Sequence, residues 1–112
     1  MWGRKKNGPL GISLDDIPFM IVEGNTTKKP LTVFALSTCG FCRRAISFLN
    51  DNNYTYRYVY MDKLEKPQQD SIRTYVKQTY RTMLSYPFLC IGEEDYLTGF
   101  IRASWEKELD DA

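Results

Sequence analysis

Residues 31–49 read LTVFALSTCGFCRRAISFL and decide the fold of this chain. The segment 31–36 is mostly apolar or β-branched and carries no charge, which predicts a strand that is buried on both faces. Over 40–52 the apolar residues recur at helical spacing until a cluster of Asn and Asp ends the pattern, which predicts a helix. Cys39 therefore lies at a turn from a buried strand into a helix.

The rest of the chain continues in alternating strands and helices. Residues 54–60, YTYRYVY, alternate with period two and predict a strand. Apolar residues then recur at helical spacing from a first-turn Pro67 up to Met83 and Leu84, which predicts a second helix. A buried strand, a tight turn into a short strand and a final helix are predicted over 87–92, 93–99 and 102–109.

This order of elements predicts an α/β fold with a small mixed sheet flanked by helices. The strand–helix–strand start requires a right-handed crossover and a parallel pair, and the closing strands form an antiparallel hairpin. The apolar run over 17–23 predicts an extra N-terminal strand on the edge beside 54–60, where it would cover an open edge. We therefore divide the chain into an N-terminal arm over 1–29 and a domain over 30–112.

The composition is that of a globular protein, and it excludes several classes of function. Of the 112 residues, 43% are hydrophobic and 26% are charged, and 15 basic residues balance 14 acidic ones, so no nucleic-acid partner is expected. The N-terminal apolar run is too short for a secretory signal or a membrane span, which predicts a cytoplasmic protein with no membrane attachment. We also expect a monomer.

The absence of histidine excludes a Cys–His nucleophilic pair, a histidine general base and a His-ligated zinc site. A four-ligand zinc site would need Cys39, Cys42, Cys90 and a carboxylate, an unusual set, so we predict no metal site. Cys90 is expected to be a core residue of its strand, because free cysteine is among the most buried residue types, and a regulatory thiol is the alternative. The tyrosines of 54–60 are likewise interpreted as strand packing.

The Cys-Gly-Phe-Cys pair at 39–42 has the position that thiol–disulfide exchange requires. The first N–H groups of a helix lack intrahelical partners and carry partial positive charge, so they favour a thiolate on Cys39, the attacking species in exchange. Cys42, one helical turn further on and more shielded, is expected to resolve the mixed disulfide. Half of a zinc site has the same spacing, but the strand-to-helix turn favours the redox interpretation, with Cys39 and Cys42 as the catalytic residues.

Three segments give the sequence a resemblance to the glutaredoxin branch of the thioredoxin superfamily, over about residues 31–110. They are VFALSTCGFCRRAISFL (33–49), YPFLCIG (86–92) and the Thr98–Gly99 pair. The resemblance implies a thioredoxin-like (glutaredoxin) fold and a thiol–disulfide oxidoreductase that reduces protein disulfides or glutathione mixed disulfides. It implies no tightly bound cofactor and makes glutathione a candidate co-substrate.

The resemblance also implies which residues bind substrate. Pro87 matches a proline that is cis in the family, and the residue before it, Tyr86, would present its backbone to an extended substrate. The substrate-binding residues expected on this basis are Thr38, Phe41, Tyr86, Pro87, Thr98 and Gly99.

Departures from the family pattern keep the electron donor open. Leu36 stands where glutaredoxins usually carry a lysine that meets a carboxylate of glutathione, and Thr38 replaces an aromatic residue. Arg43, Arg44 or Arg102 are the candidates to replace that lysine. The segment 96–100, YLTGF, resembles redoxins that take electrons from thioredoxin reductase and serve ribonucleotide reductase. A second alternative is a [2Fe–2S] cluster carrier, because Cys-Gly-Phe-Cys differs by one residue from the Cys-Gly-Phe-Ser of monothiol glutaredoxins.

Overall fold

The structure, a computed structural model, describes residues 14–110. Strands and helices alternate along this range as the sequence predicts, with a 3-10 turn over Met61–Lys63 after the third strand. The elements are β1 (Met20–Val22), β2 (Leu31–Ala35), α1 (Gly40–Asp51), β3 (Tyr56–Tyr60), α2 (Lys66–Tyr80), β4 (Phe88–Ile91), β5 (Asp95–Thr98) and α3 (Arg102–Asp110).

The strands form one mixed sheet in the order β1-β3-β2-β4-β5. β2 runs parallel to β3, and the other three pairs are antiparallel. In this register Ala35 lies opposite Tyr60, Phe34 opposite Phe88, and Phe88 opposite Thr98. The carboxyl ends of β2, β3 and β5 therefore meet the amino end of β4 at one edge of the sheet. The predicted mixed sheet is confirmed, including the N-terminal edge strand, which covers residues 20–22 of the predicted 17–23.

Helices cover both faces of the sheet, and all five residues of β2 are buried between them. On one face α1 and α3 form a core with alternate strand residues such as Val33 and Leu89. On the other face α2 packs over Phe34 and Phe88. Burial on both faces explains why β2 reads as a continuous apolar run without the alternation of a half-exposed strand. Val33 and Phe34 are neighbours in sequence but contribute to different cores.

The second helix is shorter than predicted. α2 ends at Tyr80, and Arg81 adopts a left-handed conformation with φ of 60° while its N–H donates to the carbonyl oxygen of Lys77. Met83 lies outside the helix and is 81% exposed. Leu84 packs against the α2-side core from the connecting loop. It is therefore a core residue although it lies outside the helix.

The predicted arm over 1–29 lies partly outside the described residues. Within the described part, Ile17 is buried in the α2-side core, and the ring of Phe19 lies 4.0 Å from the guanidinium carbon of Arg57. The boundary between arm and domain at residue 30 stays a prediction. None of the helices in residues 14–110 has the length and apolar character needed to cross a bilayer.

Trp105 joins α3 to the edge of the sheet where β2, β3 and β5 end and β4 begins. Its side chain is almost fully buried and packs edge-on against Phe48 and Phe100. The indole N–H donates to the carbonyl oxygen of Gly99 at 3.0 Å, and the N–H of Gly99 donates to the carbonyl oxygen of Pro87 at 2.9 Å. Gly99 has a φ of 71°, a conformation that glycine adopts without a steric penalty. The final helix thus fixes the turn that faces Pro87.

We expect Trp105→Phe to lower the free energy of unfolding by about 1–3 kcal/mol, because the Gly99 carbonyl loses its donor and the core loses volume. Urea unfolding of the reduced protein measures the change. Lys107→Ala, an exposed position in the same helix, is the control and should stay within about 0.5 kcal/mol of the original protein. Equal stability of the two variants would show that the indole hydrogen bond contributes nothing.

Candidate functional site

Cys39 is the N-cap residue of α1. Its backbone is extended, with φ of −95° and ψ of 118°, and its side chain accepts a hydrogen bond from the N–H of Cys42 at 3.1 Å. Its carbonyl oxygen accepts from the N–H of Arg43. A sulfur at this position meets backbone donors that have no partner inside the helix, an arrangement that suits an anion. Cys39 is also partly exposed, so an incoming disulfide can reach it.

Cys42 is the shielded member of the pair. It has no exposed surface and packs in the core between α1 and the sheet. Burial raises the pKa of its thiol to about 12, and the hydrogen bond with Cys39 and the charge of that sulfur act in the same direction. A hydrogen bond with the Leu36 backbone opposes them. The site therefore pairs one accessible sulfur with one that holds its proton.

The loop before β4 and the turn after β5 are joined beside these sulfurs. The Tyr86–Pro87 peptide bond is cis, as the family resemblance implies. The Pro87 carbonyl accepts from Gly99, and the hydroxyl groups of Ser85 and Thr98 are hydrogen-bonded to each other. Tyr86 packs against the core that contains Cys42, so the loop before β4 lies beside the cysteine pair.

The six predicted substrate-binding residues thus fall into two groups at one edge of the sheet. Thr38 and Phe41 flank Cys39 on its own turn. The other four belong to the two joined loops: Tyr86, Pro87, Thr98 and Gly99. Their roles in binding stay predictions.

Exposed apolar side chains are found in the same three segments. Phe41 is 57% exposed, with the guanidinium of Arg44 at 5.2 Å from its ring, and Ile101 after β5 is 66% exposed. Met83, in the loop that leads to Pro87, is the most exposed of the three. Large exposed apolar residues of this kind suit contact with a protein chain.

Asp62 is a residue of this site that sequence reasoning missed. It lies in the 3-10 turn after β3 and accepts two hydrogen bonds from Ser37, one from the N–H at 2.9 Å and one from the hydroxyl. These bonds lower the pKa of the carboxyl group below its usual value. The position of Asp62 in the sequence could have indicated its place in the site. The carboxyl ends of two parallel strands meet at the same edge of a sheet, and Asp62 follows the strand beside β2.

Tyr60 and Arg73 also border the site without having been predicted. Burial raises the pKa of Tyr60, and the charge of Cys42 contributes to that shift. Arg73 opposes the burial effect that raises the pKa of Tyr86. Arg73 also forms an ion pair with Asp70, at 3.5 Å, on the exposed side of α2.

Cys90 does not belong to this site. It is buried in the α2-side core, whereas Cys39 and Cys42 pack with the core formed by α1 and α3. Burial raises the pKa of the Cys90 thiol to about 12. The prediction of a core residue is confirmed, and the hypothetical zinc set of all three cysteines is not assembled. Within residues 14–110 no group of three or more His, Cys, Asp or Glu side chains comes together to hold a metal.

A groove of about 360 Å³ lies at the other end of the sheet. It sits where β2 and β3 begin, and Cys39 follows the opposite end of β2, so the groove is separate from the cysteine pair. Its lining residues are Ile21, Glu23, Gly24, Thr26, Thr27, Lys28, Pro30 and Thr55.

Comparison with known proteins agrees with this geometry. The family model described as Glutaredoxin matches residues 31–95, more than half of the chain. The glutaredoxin of Methanosarcina mazei has a similar structure (TM-score 0.71, 23% identity, 92% of this chain and 95% of that one), as does methanoredoxin of Methanosarcina acetivorans (0.68, 23%, 77% and 88%). The buckwheat glutaredoxin–glutathione complex is also similar (0.55, 24%, 74% and 71%). The search of curated proteins gives no match.

The three cysteines should differ sharply in reactivity in the folded, reduced protein. With a short pulse of iodoacetamide at pH 7, we expect Cys39 to be alkylated at least about tenfold faster than Cys42 or Cys90, because buried thiols with raised pKa values hold little thiolate. Mass spectrometry of the digested protein measures the three sites separately. In urea the three rates should converge, and fast alkylation of Cys90 in the folded protein would contradict its burial.

Proposed function

Because this chain belongs to the glutaredoxin family, we propose that it is a dithiol thiol–disulfide oxidoreductase in which Cys39 attacks and Cys42 resolves. The observation that carries the proposal is the hydrogen bond of 3.1 Å from the Cys42 N–H to the Cys39 sulfur at the N-terminus of α1. It joins the partly exposed sulfur to the helix turn that holds the buried one, so attack and resolution can follow each other at one place.

The reaction transfers two electrons in two exchange steps. The Cys39 thiolate attacks one sulfur of the substrate disulfide, that S–S bond breaks, and the other sulfur leaves as a thiolate that takes a proton. Cys42 then loses its proton and attacks the Cys39 sulfur, which releases the second substrate thiol. The substrate is reduced, and the protein carries a Cys39–Cys42 disulfide until a donor returns two electrons.

The raised pKa of Cys42 supports this order of steps. Part of the shift comes from the hydrogen bond and negative charge of Cys39. Once Cys39 is joined to the substrate it no longer carries that charge, so Cys42 loses its proton more readily when the mixed disulfide is present. Cys42 therefore keeps its proton before Cys39 attacks the substrate, and it ionises more readily once the mixed disulfide has formed.

We propose protein disulfides as the substrate class and a monomer as the acting form. Phe41, Met83 and Ile101 carry large exposed apolar side chains in the three segments that form the candidate site, which favours contact with a polypeptide. Tyr86 and its neighbours in the joined loops are proposed to pair with an extended substrate segment. No tightly bound cofactor is needed for the exchange steps.

Glutathione is the proposed electron donor, and Arg43 and Arg44 are its proposed carboxylate partners. Neither arginine takes part in an ion pair within residues 14–110, whereas Arg102 is paired with Glu106 at 3.1 Å. Both lie in the first turn of α1, where a positive charge opposes the helix dipole. Their charge is therefore available to an anionic co-substrate beside Cys39.

The two alternatives from the sequence have distinct signatures. A redoxin that serves ribonucleotide reductase would be reduced by NADPH and thioredoxin reductase. A [2Fe–2S] carrier would show visible absorbance and acid-labile sulfide after anaerobic reconstitution.

The two cysteine variants should separate the steps. With dithiothreitol and insulin, we expect Cys39→Ser to fall to the rate of dithiothreitol alone, because no attacking sulfur remains. When it is incubated with insulin in the absence of dithiothreitol, Cys42→Ser should stop at a stable mixed disulfide, detected by mass spectrometry, because no resolving thiol remains. Cys90→Ser, outside the site, is the control and should react like the original protein in a sample shown to be folded. Full activity of Cys39→Ser with loss in Cys42→Ser would reverse the proposed roles.

The donor proposal predicts a selective effect of charge. In the double variant Arg43→Gln, Arg44→Gln we expect the KM for glutathione to rise about three- to tenfold, the size of an exposed ion-pair interaction. The rate with uncharged dithiothreitol should not change, and helix stability should not fall, because the lost charges oppose the dipole. Lys107→Gln is the charge control. Reduction by thioredoxin reductase with no rate from glutathione would assign the donor role to the reductase.

A further inference from the structure

The carboxylate of Asp62 is joined to the turn that carries Cys39. Ser37, two residues before Cys39, donates its backbone N–H to one carboxylate oxygen at 2.9 Å and its hydroxyl to the other. The contact spans 25 positions of sequence. It exists because β2 and β3 are parallel and end side by side, with Ala35 opposite Tyr60. The exchange steps themselves do not require a carboxylate at this place.

Asp62 also contributes a fixed charge. The two bonds from Ser37 lower its pKa, so it is ionised at neutral pH. Its negative charge adds to burial and to Cys39 among the causes that raise the pKa of Cys42. The same charge contributes to the raised pKa values of Tyr60 and Tyr86, which are due mainly to burial. Ser37 follows Leu36, whose carbonyl oxygen accepts from the Cys39 N–H at 3.2 Å, so the Asp62 carboxylate lies beside the turn that carries the redox pair.

We propose that Asp62 is a positioning residue of the redox pair, which fixes the turn before Cys39 through Ser37 and places a negative charge beside that turn. The proposal rests on the dithiol function proposed above. It separates two effects of one side chain, a geometric one carried by two hydrogen bonds and an electrostatic one carried by the charge. Asp62→Asn removes the charge, whereas Ser37→Ala removes the hydroxyl bond and leaves the charge and the bond from the backbone N–H in place.

The other ionisable groups around Cys42 remain in place in these variants. They are Cys39 at the N-cap of α1, Tyr60 from β3 and Tyr86 from the loop before β4. Burial raises the pKa of both tyrosines, so they stay neutral below pH 9. The other charges that act on these tyrosines are that of Arg43 on Tyr60 and that of Arg73 on Tyr86.

The resolving step can be measured by itself. Cys39 of the reduced protein attacks the disulfide 5,5′-dithiobis(2-nitrobenzoate), so that one thionitrobenzoate leaves and the other stays bound to Cys39. Release of this bound thionitrobenzoate by Cys42 is followed by stopped flow between pH 6 and 9. In Asp62→Asn, which keeps an oxygen acceptor for Ser37 but loses the charge, we expect release at pH 7 about two- to fivefold faster and a profile moved to lower pH. In Ser37→Ala, which keeps the charge, the profile should keep its pH dependence while the plateau rate falls.

The outcomes distinguish this proposal from the proposed function. If the original protein does not release the thionitrobenzoate bound to Cys39, Cys42 does not resolve and the dithiol function itself fails. If release is normal and the Asp62→Asn profile superimposes on that of the original protein, the Asp62 proposal is overturned. A shift of the same size in Ser37→Ala would also overturn it, because the effect would then be structural. Asp62→Ala, which removes both effects, should combine the pH shift with the lower plateau.

Discussion

The parallel pairing of β2 with β3 is the constraint on which the site depends. It brings the carboxyl ends of two strands to one edge, so that the turn leading to Cys39 and the turn carrying Asp62 are neighbours. Antiparallel pairing of β4 and β5 brings Pro87 and Gly99 to the same edge. Burial of every residue of β2 holds this arrangement, since a one-residue slip would move its side chains to the wrong cores.

Most of the fold follows from local patterns, and the exceptions have tertiary causes. The apolar run of β2, the tyrosine alternation of β3 and the stripe of α1 each predict one structure. The end of α2 was not predictable from spacing, because Leu84 continues the helical pattern although it reaches the core from a loop. The edge strand is shorter than its apolar run because Ile17 is buried under α2 and Phe19 lies against Arg57.

The candidate site was predictable where a motif or a resemblance exists. The spacing of Cys39 and Cys42 and their place at a strand-to-helix turn identify them directly, and the resemblance identifies Pro87. Asp62 belongs to no motif, and its partner Ser37 is distant in sequence, so only the strand register reveals the contact. Arg73 is one of several charges on an exposed helix face, and its influence on Tyr86 depends on how the helix packs against the sheet.

The placement of Cys90 has a consequence for the oxidised protein. A chain with three thiols has three ways to form one internal disulfide, and two of them would remove a sulfur from the exchange reaction. Here the sheet itself stands between Cys90 and the other two sulfurs, since the cores that hold them lie on opposite faces. In the proposed exchange reaction, a disulfide between Cys90 and either of the other two cysteines would therefore require the sheet to open.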